Sequence, residues 1–309
     1  MGRFYERLQV QWDFDKFVCV GLDPDMMKIL PLGWMESRPY PGDREIIFNY
    51  LQSIVDATHD VVCAYKPNWA FFLERGLQGF LALKDIMAYL VGRYPDIPLI
   101  LDMKVGDIGN TNVGYAQFAF QDLGADAITV HPYMGHQAMA PFLREVDRGV
   151  IVLVRTSNEG AGELQGLPIE QWEDPDRPFE VFQGEEPLYK VVARNVRSRW
   201  NYNSNCAVVV GATRPEELQH VRYLVGDDIP ILIPGVGAQG GSLELAVQNG
   251  RNSLSEGFII NASRSVLYPQ SPEGQPPVVD VPAAARAEVE RMNRVIRQTL
   301  FVPPEGNDI

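Results

Sequence analysis

Residues 98–132 read PLILDMKVGDIGNTNVGYAQFAFQDLGADAITVHP. An apolar run that ends in charge (98–104) is followed by a segment of helical spacing (112–123) and a second apolar, β-branched run (127–132). Strand, helix and strand in so short a span make a β-α-β unit, whose two strands lie parallel with the helix across one face. Outward from it, the same kind of run recurs at 17–23, 61–66, 150–156, 207–212, 230–236 and 258–262, for eight predicted strands in all. Helical spacing recurs at 77–94, 215–224, 242–248 and 283–300. Near-continuous hydrophobicity suits strands covered on both faces. Eight alternations predict a closed (β/α)8 TIM barrel spanning 1–309 as one domain, and the alternative is a doubly wound open sheet.

Two segments, 158–187 and 271–282, break this rhythm with proline, glycine and charge and show no clear period. The first follows the fifth strand, where a long loop is either a substrate lid or a solvated insertion.

Composition narrows the partners. A net charge of −13 opposes binding to nucleic acid or an anionic membrane surface, since either needs a broad basic footprint. A small anionic substrate needs only a few cations, and with just six lysines in the chain a lysine at a strand end is conspicuous. Cys19, Cys63 and Cys206 each sit in an apolar run, as core residues rather than a disulfide framework. No run is long and apolar enough for a membrane span, and residues 1–14 carry acidic and aromatic side chains where a signal peptide is apolar, which predicts a cytoplasmic protein.

In a barrel the chemistry sits where strands end at the C-terminal face. The first predicted strand ends in Asp23, the second in Lys66-Pro67-Asn68 and the third in Asp102-Met103-Lys104-Val105-Gly106-Asp107-Ile108. Alternation points Asp102 and Lys104 the same way, and the turn at Val105-Gly106 is expected to bring Asp107 back towards them. Such a cluster is either a catalytic site or a buried ion network, and the latter is a weak source of stability because desolvation offsets the Coulomb gain. The seventh strand runs into Pro234-Gly235-Val236-Gly237-Ala238-Gln239-Gly240-Gly241 and the eighth into Asn261-Ala262-Ser263-Arg264. Glycine-rich backbone beside an arginine suits a phosphate, with Gly237, Gly240 and Gly241 as the expected phosphate loop. The fifth strand ends in Arg155-Thr156-Ser157-Asn158, where a serine or asparagine can read the polar edge of a base. His131, the one histidine at a strand end, serves either as an acid/base or as a packing residue.

The run Asp102-x-Lys104-x-x-Asp107-Ile108-Gly109-x-Thr111 resembles the active-site signature of the orotidine 5'-phosphate decarboxylases, in particular their longer bacterial branch. The Gly-Leu-Asp23 turn, Lys66-Pro-Asn, Arg155-Thr-Ser-Asn, the Gly237 to Gly241 loop and Asn-Ala-Ser-Arg264 extend the likeness over nearly the whole chain. The resemblance implies that Lys104 protonates the pyrimidine carbon as carbon dioxide leaves, with Asp102 beside the substrate carboxylate. It implies that Lys66, counted with Lys104, Asp102 and Asp107 among the catalytic residues, and Asp23 contact the ribose and order the charged network, that Ser157 reads the pyrimidine edge, and that Gln239 and Arg264 hold the 5'-phosphate. It further implies a homodimer in which Asp107, Ile108 and Thr111 reach the neighbouring subunit's site, and no metal or organic cofactor.

The chemistry agrees with that likeness. Loss of carbon dioxide from a pyrimidine without an electron sink leaves a carbanion in the ring plane, and an ammonium flanked by carboxylates can both stabilise and protonate it. Two rivals share parts of the pattern. A sugar-phosphate decarboxylase or epimerase with an Asp-x-Lys-x-x-Asp strand stabilises an enediolate with magnesium, and a silent phosphoribosyl-binding protein binds without turnover.

Overall fold

The computed structural model describes residues 3–30, 42–174, 177–237, 239–270 and 278–301. Its strands are β1 (Val18–Leu22), β2 (Ala64–Pro67), β3 (Ile100–Val105), β4 (Ala127–Val130), β5 (Gly149–Arg155), β6 (Pro168–Asp174), β7 (Arg177–Pro187), β8 (Cys206–Val210), β9 (Ile231–Ile233) and β10 (Phe258–Ala262). Eight of them form one parallel sheet in the order β2-β1-β10-β9-β8-β5-β4-β3. The two end strands meet through parallel bridges Tyr65–Leu99 and Asn68–Asp102, and the Tyr65 N–H donates to the Pro98 carbonyl at 3.0 Å. The ring is therefore a barrel, and the open-sheet alternative falls. Every residue of β1, β4, β8, β9 and β10 is buried, which is why these strands read as continuous apolar runs.

The helices follow the same logic. Val281–Leu300 buries Val281, Ala285, Val289, Met292 and Ile296, one stripe of a 3.6-residue period, and the Asp280 carboxylate caps it by accepting from the Ala283 N–H at 3.0 Å. It packs between the helices Asp43–Thr58 and Leu243–Gly250. From it Asn293 reaches inward, accepting from the Phe17 N–H at 3.1 Å and donating to the Val61 carbonyl at 2.7 Å, so two strands are pinned at their start. Among the described residues no helix is long and apolar enough to cross a membrane.

The first helix, Arg3–Asp13, closes the N-terminal end of the barrel. Phe4, Tyr5, Leu8 and Trp12 form its buried face. Arg7 pairs with Asp126 at 2.7 Å, and the same carboxylate accepts from the Leu99 N–H at 3.0 Å. Phe4 lies directly on Gly149, where a side chain would strike the ring and come within 2.8 Å of the Ala127 Cβ.

The described residues of 158–187 carry secondary structure, where an aperiodic loop was expected. The short turns Glu159–Ala161 and Gly162–Gln165 lead into an antiparallel hairpin of β6 and β7. Its register shifts between Ile169 and Gln171 and between Glu173 and Asp174, which interrupts any period-2 pattern in the sequence. Of the second aperiodic segment, residues 271–277 lie outside the described residues.

The contact at Gly149 yields a stability test. Gly149→Ala should overpack the plug and cost about 1–3 kcal/mol, whereas Phe4→Ala should cost about 3–5 kcal/mol by leaving a cavity. Urea unfolding measures both, and an unchanged midpoint for Gly149→Ala would show that the first helix is not clamped there.

Candidate active site

A cavity of about 700 Å³ opens at the C-terminal ends of the strands. Strand ends converge on it from around the ring: Asp23 after β1, Lys66 of β2, Asp102 and Lys104 of β3, and Ser157 after β5. Gln239 after β9 and Arg264 after β10 complete the set of expected residues that line it.

Asp102 is the centre of the charged group. Its Oδ2 accepts from Lys66 Nζ at 2.8 Å and its Oδ1 from Lys104 Nζ at 2.6 Å. Burial by itself would raise the Asp102 carboxyl, but Lys66 and Lys104 outweigh it and hold the group well below the usual carboxylate range. Burial likewise opposes a charged Lys66, and Asp102 with Asp23 reverses that, raising the ammonium above the usual lysine value. Lys66 is buried at the cavity wall, whereas the Lys104 side chain keeps 47% of its surface exposed to the cavity. Asp23 leaves a buried Oδ1 with no hydrogen-bond partner among the described residues.

The backbone that presents Lys104 is irregular. β3 shifts register against β4 between Leu101 and Val105, and Lys104 adopts φ +49. A left-handed non-glycine residue in a bulge re-aims its side chain, so strict alternation is not what brings Lys104 to Asp102.

At the opposite wall, Ser157 packs against Gly211 and Gly235, with no room for a side chain at either glycine. Gln239 Oε1 lies over Gly235. The loop beyond departs from expectation. The Gly237 N–H donates to the Gly241 carbonyl (2.9 Å), Gly240 to Gly237 (2.7 Å) and Gly241 to Gly235 (3.1 Å). All three phosphate-loop amides are therefore engaged within the loop, whose glycines at 235, 237 and 240 supply positive φ instead. Of the groups expected to meet a phosphate, Gln239 and Arg264 face the cavity.

Three expected residues do not join the group in this chain. Asp107 accepts from the Ile108 N–H at 2.6 Å, and Asp107, Ile108 and Thr111 are absent from the cavity lining. The anticipated return of Asp107 towards Lys104 does not occur because Asn112 holds the turn elsewhere. Buried Asn112 accepts from the Asp107 N–H at 3.0 Å and donates to the Asp107 and Ala138 carbonyls, each at 2.7 Å. His131 also stays off the lining; its ring lies against Gly106, within 2.6 Å of where a Cβ would stand, which favours its packing role. Arg155 is absent from the cavity lining and forms a part-buried fork with Glu217 at 2.6 and 3.1 Å.

Residues 16–275 match the family described as orotidine 5'-phosphate decarboxylase / HUMPS. The chain belongs to this family. It is 44% identical over 271 residues to the orotidine 5'-phosphate decarboxylase of Janthinobacterium sp. (strain Marseille), covering 87% of this chain and 91% of that one. It is 42% identical over 285 residues to that of Azoarcus sp. (strain BH72), covering 92% and 94%. The solved OMP decarboxylase of Leishmania donovani superimposes with a TM-score of 0.74 at 32% identity, over 96% of this chain and 99% of that one.

Several residues that build this orotidine 5'-phosphate decarboxylase-family site were missed in the sequence. Thr129 of β4 lines the cavity and bonds Asp102. The Tyr268 hydroxyl donates to the Asp23 carbonyl at 2.9 Å and accepts from the Asp25 N–H at 2.6 Å, fixing the β1 exit. Gln165 accepts from the Thr156 N–H at 2.9 Å, tying the segment after β5 to its strand end. None sits in the apolar-run-plus-charge pattern that selects strand ends.

Asp102 links protonation to stability. With its folded value depressed, it contributes stability that is complete above the unfolded carboxylate value of about 3.9 and lost as pH falls towards the folded one. Asp102→Asn strands Lys66 and should cost about 3–5 kcal/mol near neutrality. Unfolding at pH 7, 5 and 3.5 should show a constant difference between the first two and a smaller one at the last. A pH-independent difference would contradict the depressed value.

Proposed function

We propose that the protein decarboxylates orotidine 5'-phosphate to uridine 5'-phosphate, the closing step of pyrimidine nucleotide synthesis, in the cytoplasm and without metal or organic cofactor. The observation that carries this reading is the single carboxylate of Asp102 between a buried and a half-exposed lysine at the cavity. Family membership, and relatives that bear this name at 42% and 44% identity, support it.

In this reading the nucleotide lies across the cavity. Gln239 and Arg264 receive the phosphate, Ser157 the pyrimidine edge, and Asp23 with Lys66 the ribose. The substrate carboxylate meets Asp102. Two carboxylates about 4 Å apart repel by about 4 kcal/mol at an effective dielectric of ~20, against the ~8–23 kcal/mol that enzymes commonly supply. The remainder comes from groups aimed at developing charge and from phosphate binding energy used to order the site. As the bond to carbon dioxide breaks, its electron pair stays on the ring carbon, and Lys104 Nζ delivers a proton there. The lysine then recovers a proton from solvent. Both oxygens of Asp102 already accept from ammonium groups, which supports an ammonium rather than a divalent cation as the electrophile.

Loss of the pyrimidine absorbance on mixing with orotidine 5'-phosphate in EDTA is the direct test. Lys104→Ala should lower turnover by at least about 10²–10³ while leaving uridine 5'-phosphate binding intact. No conversion by the wild-type protein would overturn the proposal, and inhibition by EDTA would favour the magnesium-dependent branch of the family.

The working unit in this reading is a homodimer, with Asp107, Ile108 and Thr111 completing the partner's site. In support, these residues lie outside their own cavity lining, and Ile108, Val113, Tyr133 and Met134 expose apolar side chains on neighbouring segments. Mixing inactive Lys104→Ala and Asp107→Ala proteins should then restore activity. Random exchange makes half the dimers mixed, each with one intact site, so about a quarter of wild-type sites should return. No recovery after exchange is verified by tagged-subunit capture would assign Asp107 to its own chain.

A further inference from the structure

The bulge at Lys104 removes a backbone donor from the regular ladder, and what receives it is a side chain. The Lys104 N–H donates to Thr129 Oγ1 at 2.9 Å. The same hydroxyl donates its own proton to Asp102 Oδ1 at 2.7 Å. That oxygen is also the one that holds Lys104 Nζ at 2.6 Å. Thr129 is 1% exposed, yet it lines the cavity from β4, the strand against which β3 shifts register. The Lys104 backbone, the Lys104 ammonium and the Asp102 carboxylate are thus all referenced to one hydroxyl.

We infer that Thr129 is a positioning residue for the reaction: its hydroxyl holds the left-handed backbone of Lys104 and orients Asp102, so that the ammonium is aimed at the ring carbon. The residue type fits the task. A hydroxyl donates and accepts at once, as the two bonds require, and β-branching restricts the side chain to few rotamers. Valine would keep the shape and lose both bonds. Serine would keep both bonds with more rotational freedom. A buried threonine that only satisfied a stray amide would affect stability alone, whereas a positioning residue acts on the chemical step. Because the geometry it fixes is that of the reacting proton, the effect belongs in kcat, while KM depends on Ser157, Gln239 and Arg264 at the other wall.

This inference rests on the decarboxylase reading, and the experiment separates the two. Purified full-length Thr129→Val, Thr129→Ser and Thr129→Cys are assayed with orotidine 5'-phosphate, and uridine 5'-phosphate binding is followed by calorimetry as a check on folded, competent sites. Thr129→Val should lose about 10²-fold in kcat, the scale of a small misplacement of a reacting group, with KM and product affinity little changed. Thr129→Ser should recover most of that loss. The acidic limb of the kcat profile should move to higher pH in Thr129→Val, since the Asp102 carboxylate loses a donor. If the valine variant does not fold, Thr129→Cys carries the comparison. Its thiol is only a weak donor and acceptor, so activity well below that of Thr129→Ser supports the role, and equal activity overturns it. A wild-type kcat in folded Thr129→Val, or a parallel loss in the serine variant, also overturns it. An active wild type with indifferent Thr129 variants defeats only the positioning role, and an inert wild type defeats both readings.

Discussion

One carboxylate shared between two ammonium groups governs this molecule's mouth. At 2.8 Å and an effective dielectric of ~20, the attraction of the buried Lys66 for Asp102 is about 6 kcal/mol. Burying the two ions costs several kcal/mol each, so the pair comes close to balance and adds little net stability. What the arrangement does supply is position. Each carboxylate oxygen is held by a different lysine, so the carboxylate cannot rotate without breaking a bond to one of them.

The barrel exists, in functional terms, to hold that arrangement from several directions. Lys66 arrives from β2, Asp102 and Lys104 from β3, and Thr129 from β4, three adjacent strands whose rigid pairing sets the distances. Between Leu101 and Val105 the sheet gives up its regular register, and the left-handed Lys104 stores local strain there. Strain of this kind persists only where the surroundings over-determine it. Here the over-determination consists of a closed ring of parallel strands, a buried hydroxyl and a doubly bonded carboxylate.

The fold was legible because burial on both faces writes itself into the sequence. Runs such as 127–132 and 258–262 need no alternation to be recognised. The strand-end charges were legible too, since a lysine or aspartate closing an apolar run has few ordinary explanations. What escaped depends on three-dimensional register. The bulge at Lys104 has no glycine to announce it, Thr129 looks like any β-branched strand residue, and Asn112 reads as part of a helix while it dictates where Asp107 goes. The hairpin of β6 and β7 escaped because its register shifts twice, which breaks the alternation a strand would show. The glycine-rich stretch after β9 stood out in the sequence, but that its amides bond carbonyls of the same loop is a distinction that composition cannot carry.

The plug at the bottom of the barrel has a consequence for how the protein is made. Arg7 meets Asp126 across 119 residues of chain, and Phe4 and Tyr5 line a crevice with Cys206 and Pro230. The helix Arg3–Asp13 therefore leaves the ribosome long before its apolar face can be fully covered. At ~5–20 residues per second, the wait until Pro230 has been synthesised is on the order of 10–45 s. During that time four large side chains, Phe4, Tyr5, Leu8 and Trp12, must be shielded by transient contacts or by chaperones. The demand falls on the first helix, far from the residues that do its chemistry.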